Sequence, residues 1–258
     1  MHMLPLLPLI AALPVTLPAD ALAQVRSIFT MARPPQFVAY LTGGGGQLPS
    51  WLLTTPGASR AVLELKVPYA RSSIIELLGG PPANGRFCTA QVARDLAVAA
   101  FARAQNLQRE ESSGRAAAAL APPVGLAMSA VIRSEPLRNG PHRCFVAVRT
   151  ETLLLELSLT LAKGQRSRAR EDEVVSRLAL LALAEVSGLP VPDDSFWRLS
   201  WDAAGAEGGA PLRHERERLG RISTPVASNG SARASGVLQA LEDLNSAAER
   251  ASADRDVL

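Results

Sequence analysis

Residues 38–46 read VAYLTGGGG: an apolar, strand-forming run ends in a hydroxyl and then in four consecutive glycines. Glycine adopts positive φ at little cost and lets another group approach the main chain, so a strand ending this way leaves its backbone N–H groups accessible. Two readings follow. In one, the turn presents N–H groups to a phosphate or an oxyanion; in the other it is a flexible connection. The spacing matches neither G-x-G-x-x-G nor G-K-[ST], which sets aside the dinucleotide fingerprint and the P-loop.

The flanking sequence places this turn in an α/β pattern. Ala21 to Met31 has the spacing of an amphipathic helix, with Leu22, Val25, Ile28 and Phe29 on one side. Phe37 to Leu41 is a strand, and Gln47 to Leu53 a helix stopped by Thr54-Thr55-Pro56-Gly57. Ala61 to Tyr69 alternates as a strand, and Ser72 to Leu78 is a short helix ended by Gly79-Gly80-Pro81-Pro82. Thr89 caps a long helix through Gln108, whose apolar face holds Val92, Leu96, Ala100 and Phe101. After a charged, Ala-rich and then Pro-Pro linker come strands at Val124 to Arg133, His142 to Thr150 and Leu153 to Ala162. The last two are close enough to pair as an antiparallel hairpin, and Glu171 to Val186 is a closing helix. This order predicts a mixed sheet with helices on both faces.

Composition narrows the function classes. Of the 258 residues 47% are hydrophobic and 20% charged, enough for one sizeable core. The 27 basic and 24 acidic residues leave a net charge of +3, and 4% aromatic content supplies no basic stripe with stacking platforms, so no nucleic-acid partner is expected. Cys88 and Cys144 lack the C-x-x-C spacing of a zinc or redox site, and His2, His142 and His214 form no H-x-x-x-H pair. No metal and no cofactor are expected. Prolines 5, 8, 14 and 18 interrupt the apolar N-terminus, no Lys or Arg precedes it, and no run reaches the ~20 residues of a membrane span. The chain is read as cytoplasmic, with residues 1–17 a loose extension, 18–190 the folded domain and 191–258 a tail. Within that tail Phe196, Trp197 and Trp201 are anchors, 202 to about 235 are expected to be disordered, and Val237 to Ala251 to form a terminal amphipathic helix.

Residues 42–79, TGGGGQLPSWLLTTPGASRAVLELKVPYARSSIIELLG, resemble the signature region of the CinA C-terminal domain, the nicotinamide-nucleotide amidohydrolase (PncC-like) family. That family shows Ser-Cys-Thr-Gly-Gly, nine residues, Pro-Gly-Ser-Ser, and a strand ending in Tyr-Ser-Asn-Glu-Ala-Lys. Here Gly45-Gly46 stand nine residues before Pro56-Gly57, and Tyr69 falls thirteen after Pro56. FCTAQVARDLAVAAFARA, VGLAMSAVIRSEP and LAKGQRSR resemble, more distantly, its later helix, its Thr-Gly-Ile-Ala-Gly-Pro segment and its Gly-Asp-Arg turn. The likeness covers about residues 20 to 188.

The resemblance implies a three-layer α/β/α sandwich, commonly a homodimer, that hydrolyses the carboxamide of nicotinamide mononucleotide (NMN) to the acid and ammonia. It places Thr42 at the nucleophile position, Tyr69 at the strand-end tyrosine, Arg166 at the family arginine, and Gly43, Gly44, Gly45 and Gly46 around the substrate. The family lysine, which serves as base, is replaced by Ile74. An isoleucine accepts no proton, so a hydroxyl at Thr42 needs another base. The chain has two lysines, Lys66 and Lys163. Alternation puts Lys66 and Tyr69 on opposite faces of one strand, with Glu64 beside Lys66 as its ion-pair partner, and leaves Lys163 beside Arg166 as the candidate. Two functions follow: a nucleotide amidohydrolase with Thr42 as nucleophile and a relocated base, or a non-catalytic nucleotide-binding or scaffold module that has lost its Ser-Lys dyad.

Overall fold

The computed structural model describes residues 17–111, 121–191 and 218–226. In chain order the elements are α1 (Ala19–Phe29), β1 (Gln36–Thr42), α2 (Gln47–Thr54), β2 (Val62–Lys66), α3 (Arg71–Leu78), α4 (Ala90–Glu111), β3 (Pro123–Val131), β4 (His142–Arg149), β5 (Leu153–Leu161), α5 (Arg168–Val186) and β6 (Arg218–Pro225). The strands form one sheet in the order β2-β1-β3-β4-β5-β6. β1 runs parallel to β2 and β3, with Phe37 beside Val124 and Thr42 beside Ser129. From β3 onward the pairing is antiparallel, as the short β4–β5 connection predicts.

Helices cover both faces, so the domain is an α/β/α sandwich with a mixed sheet. The alternation along β1 sorts its side chains between two cores. Phe37, Ala39 and Leu41 point into the layer of α1, α2 and α5, while Val38 and Tyr40 point into the layer of α4 and Ile74 of α3. A strand buried on both faces reads as a continuous apolar run, which is why VAYL was legible as a strand. The first core is tied by a buried charge network: Arg177, 1% exposed, bonds Glu173 at 3.0 Å and the Asp20 carboxylate, with its guanidinium 5.9 Å from the Trp51 ring. It fixes α5 against α1 and α2, and α5 in turn carries the groups that shape the site. On the other face Arg94 of α4 holds Glu156 of β5 at 3.0 Å.

Two sequence expectations are corrected. β2 stops at Lys66 rather than reaching Tyr69, and Pro68 lies in the non-strand segment that follows, so strand alternation does not relate Lys66 to Tyr69. Lys66 does pair with Glu64, at 3.3 Å, and its ammonium lies 5.6 Å from the Tyr40 ring. Residues 218–225, expected to be disordered, are strand β6, with Ile222 beside Glu156. An edge strand pairs on one side only and stays partly exposed, so RLGRISTP needs no apolar run. Phe196, Trp197, Trp201, most of residues 1–17 and the Val237 to Ala251 helix lie outside the described residues.

Candidate functional site

The parallel strands β1 and β3 end side by side, and beyond their carboxyl ends opens a cleft of about 520 Å³. Open α/β sheets place ligands in this position. Thr42 and Gly43 line it from β1, Ser129 to Ile132 from the end of β3, Tyr69, Arg71 and Ile74 from the start of α3, and Gly85 to Cys88 from the loop before α4. Arg138 approaches from the loop into β4, Arg143 from the start of β4 itself, and Arg168 from the first turn of α5.

The glycine turn is built by close approach to β3. Gly43 has φ of +77°, and a Cβ there would stand 1.9 Å from the Ala130 carbonyl oxygen; at Gly45, φ is +81° and a Cβ would meet the Met128 methyl at 1.8 Å. Gly44 packs toward Val175 and Ala130. The turn does bind an anion, and that anion is a side chain: the Gly46 and Gln47 N–H groups donate to the Asp172 carboxylate at 3.1 and 3.0 Å. Of the four glycines expected to touch substrate, Gly43 alone lines the cleft, whereas Gly44, Gly45 and Gly46 serve the packing of the turn and its bond to α5.

Thr42 is buried at the last position of β1, with its side on the cleft. Ile74, at the family lysine position, is buried in the wall of the same cleft. Tyr69 is 69% exposed at the rim, and its hydroxyl accepts a hydrogen bond from Arg168 at 3.2 Å. Lys163 is not brought to the cleft. Its ammonium donates to the Arg138 carbonyl and, at 3.2 Å, to the Gly140 carbonyl, bracing the loop behind the site. Arg166 does not line the cleft either; its carbonyl accepts from Arg133 at 3.3 Å, and Arg168 takes the rim position instead. Among the described residues lining the cleft there is no carboxylate, histidine or lysine. The Cys88 thiol donates to the Ser129 and Arg143 carbonyls, and burial pushes it above its usual range despite the opposing pull of Arg143, so it supplies no base at neutral pH.

No protein-family model matches the chain, and no curated protein matches it. Solved structures do resemble it. The competence/damage inducible protein CihA from Agrobacterium tumefaciens is 19% identical with a TM-score of 0.47, over 66% of this chain and 98% of that one. A competence or damage-inducible protein from Enterobacter asburiae is 14% identical with a TM-score of 0.43, over 66% and 95%. A competence-damaged protein (CinA) superfamily member from Klebsiella pneumoniae is 11% identical with a TM-score of 0.45, over 67% and 99%.

The sequence reading missed the feature that dominates this cleft, its five arginines: Arg71, Arg86, Arg138, Arg143 and Arg168. Several arginines elsewhere are matched to carboxylates, as Arg94 is to Glu156, Arg103 to Glu64, Arg170 to Glu173 and Arg177 to Asp20, whereas others, such as Arg60, bond backbone carbonyls. None of the five in the cleft has an ion pair among the described residues. Arg168 instead bonds the Arg133 carbonyl at 2.6 Å and the Tyr69 hydroxyl, while Arg71 and Arg143 lie 5.6 and 6.0 Å from the Phe87 and Phe145 rings. These contacts orient guanidinium groups without neutralising them. Phe87, Ile74 and Ile132 add apolar wall for a ring or other uncharged part of a ligand.

Proposed function

We propose that this domain binds a nucleotide through its phosphoryl groups and does not hydrolyse an amide. The supporting observation is five arginines without carboxylate partners among the described residues, around one cleft of about 520 Å³, a size within the usual range of small-ligand sites. A guanidinium matches phosphate with two parallel donors and stays charged at any physiological pH. The nucleotide character rests on the likeness of residues 42–79 to a pyridine-nucleotide enzyme. The absence of lysine, histidine and carboxylate from the described lining, with Ile74 at the base position, argues against activation of the Thr42 hydroxyl.

Calorimetry with NMN and AMP at low ionic strength tests this reading, alongside an ammonia assay with NMN. The expected result is saturable binding displaced by inorganic phosphate, weakened at least tenfold by Arg168→Gln, with no ammonia above the blank. If no phosphorylated compound binds, the reading fails. One observation favours the amidohydrolase alternative: the Thr42 hydroxyl lies on the cleft beside Gly43. Ammonia release that disappears in Thr42→Ala would establish that reading.

A further inference from the structure

We infer that the ligand of this cleft carries two phosphoryl groups, as a nucleoside diphosphate does, and is discriminated from its monophosphate by Arg143. This rests on the reading of the cleft as a phosphate site and specifies its ligand. The argument begins with charge. Five guanidinium groups share one cavity with no carboxylate in its described lining. A phosphomonoester brings about −1.5 to −2 at neutral pH, leaving roughly three positive charges uncompensated. A second phosphoryl group offsets about one more of them and brings further acceptor oxygens, and each added charge-assisted bond strengthens binding in a cleft partly shielded from water.

The arginines also differ in burial. Arg71, Arg86, Arg138 and Arg168 are exposed, on the first turn of α3, the 79–89 loop, the 132–141 loop and the first turn of α5. Arg143 is half-buried on β4, with its guanidinium 6.0 Å from Phe145 and its carbonyl receiving the Cys88 thiol at 3.9 Å. A ligand with one phosphoryl group is held by the exposed set, and the second phosphoryl group engages Arg143, with Phe87 and Ile74 in the wall of the same cleft.

The test is calorimetry of the full-length protein with AMP and ADP in buffer containing EDTA, so that no metal bridges the phosphates. The expected result is ADP at least tenfold tighter than AMP, with pyrophosphate displacing ADP. In Arg143→Gln, shown to be folded by circular dichroism, ADP is expected to lose more affinity than AMP, so that the ADP to AMP ratio drops below three. A wild-type ratio below ten overturns the inference while leaving the phosphate site standing. Failure of AMP, ADP and inorganic phosphate all to bind overturns the phosphate site itself. An undiminished ratio in Arg143→Gln removes Arg143 from the recognition and overturns the assignment.

Discussion

At Gly43 the main chain turns with φ of +77° beneath the Ala130 carbonyl, where any Cβ overlaps that oxygen at 1.9 Å. Left-handed backbone costs a side-chain-bearing residue about 1–2 kcal/mol, and the steric overlap adds to it, so Gly43→Ala is expected to lower stability by about 2–4 kcal/mol in urea unfolding. Asp172 is the second residue on which the turn depends. Its carboxylate holds two backbone N–H groups, and Asp172→Ala should cost about 1–3 kcal/mol because those donors lose a charged acceptor. An unchanged unfolding midpoint would show that water replaces the carboxylate without loss. Tyr40 sets a pH limit. Burial, reinforced by the neighbouring Glu64 carboxylate, pushes its phenol up to about 12. The folded-state value lies above the ordinary value of 10, so this contribution to stability is complete below pH 10 and is lost as pH rises from 10 to 12. Tyr40→Phe should flatten the stability profile in that window, as followed by unfolding at each pH.

Among the elements, the first turn of α5 connects most of the site. Arg168 bonds the Arg133 carbonyl and Tyr69; Glu171, fully buried, accepts from the Arg133 N–H at 2.6 Å and lies 2.8 Å from His142 Nδ1; Asp172 closes the glycine turn. One helical turn therefore fixes the rim, the 132–141 loop and the end of β1. Glu171→Ala leaves the Arg133 N–H without its acceptor and the buried His142 ring without its hydrogen-bond partner, and is expected to cost about 1–3 kcal/mol for each group left unsatisfied. It should also speed amide exchange at Arg133, which loses its acceptor. At the far edge of the sheet β6 covers β5, whose Leu155, Leu157 and Leu159 are buried. A chain truncated after residue 191 would expose the β5 backbone as an edge, and light scattering should detect its association.

For the molecule as a whole, the charge balance hides the site. The net charge is +3, yet five guanidinium groups with no ion pair among the described residues converge on one cleft. Ligand affinity should therefore fall about tenfold or more between 0.05 and 0.5 M salt, where the screening length shrinks from more than 10 Å to a few Å. A flat salt dependence would exclude recognition by charge. The amino-acid sequence by itself determined the order of elements through β5 and α5, the β4–β5 hairpin and the need for bare backbone after Thr42. Each of these follows from side-chain period or local φ preference, which act over a few residues. Only the tertiary structure decided that Asp172, 126 residues from Gly46, fills the anion position of the turn, and that Lys163 braces a loop instead of serving Thr42. It also decided that arginines from five separate segments meet at one strand end. Strand order and helix packing set such convergence, and no local spacing of charged residues encodes it. β6 was hidden for the related reason that an edge strand is defined by its partner more than by its own apolar pattern.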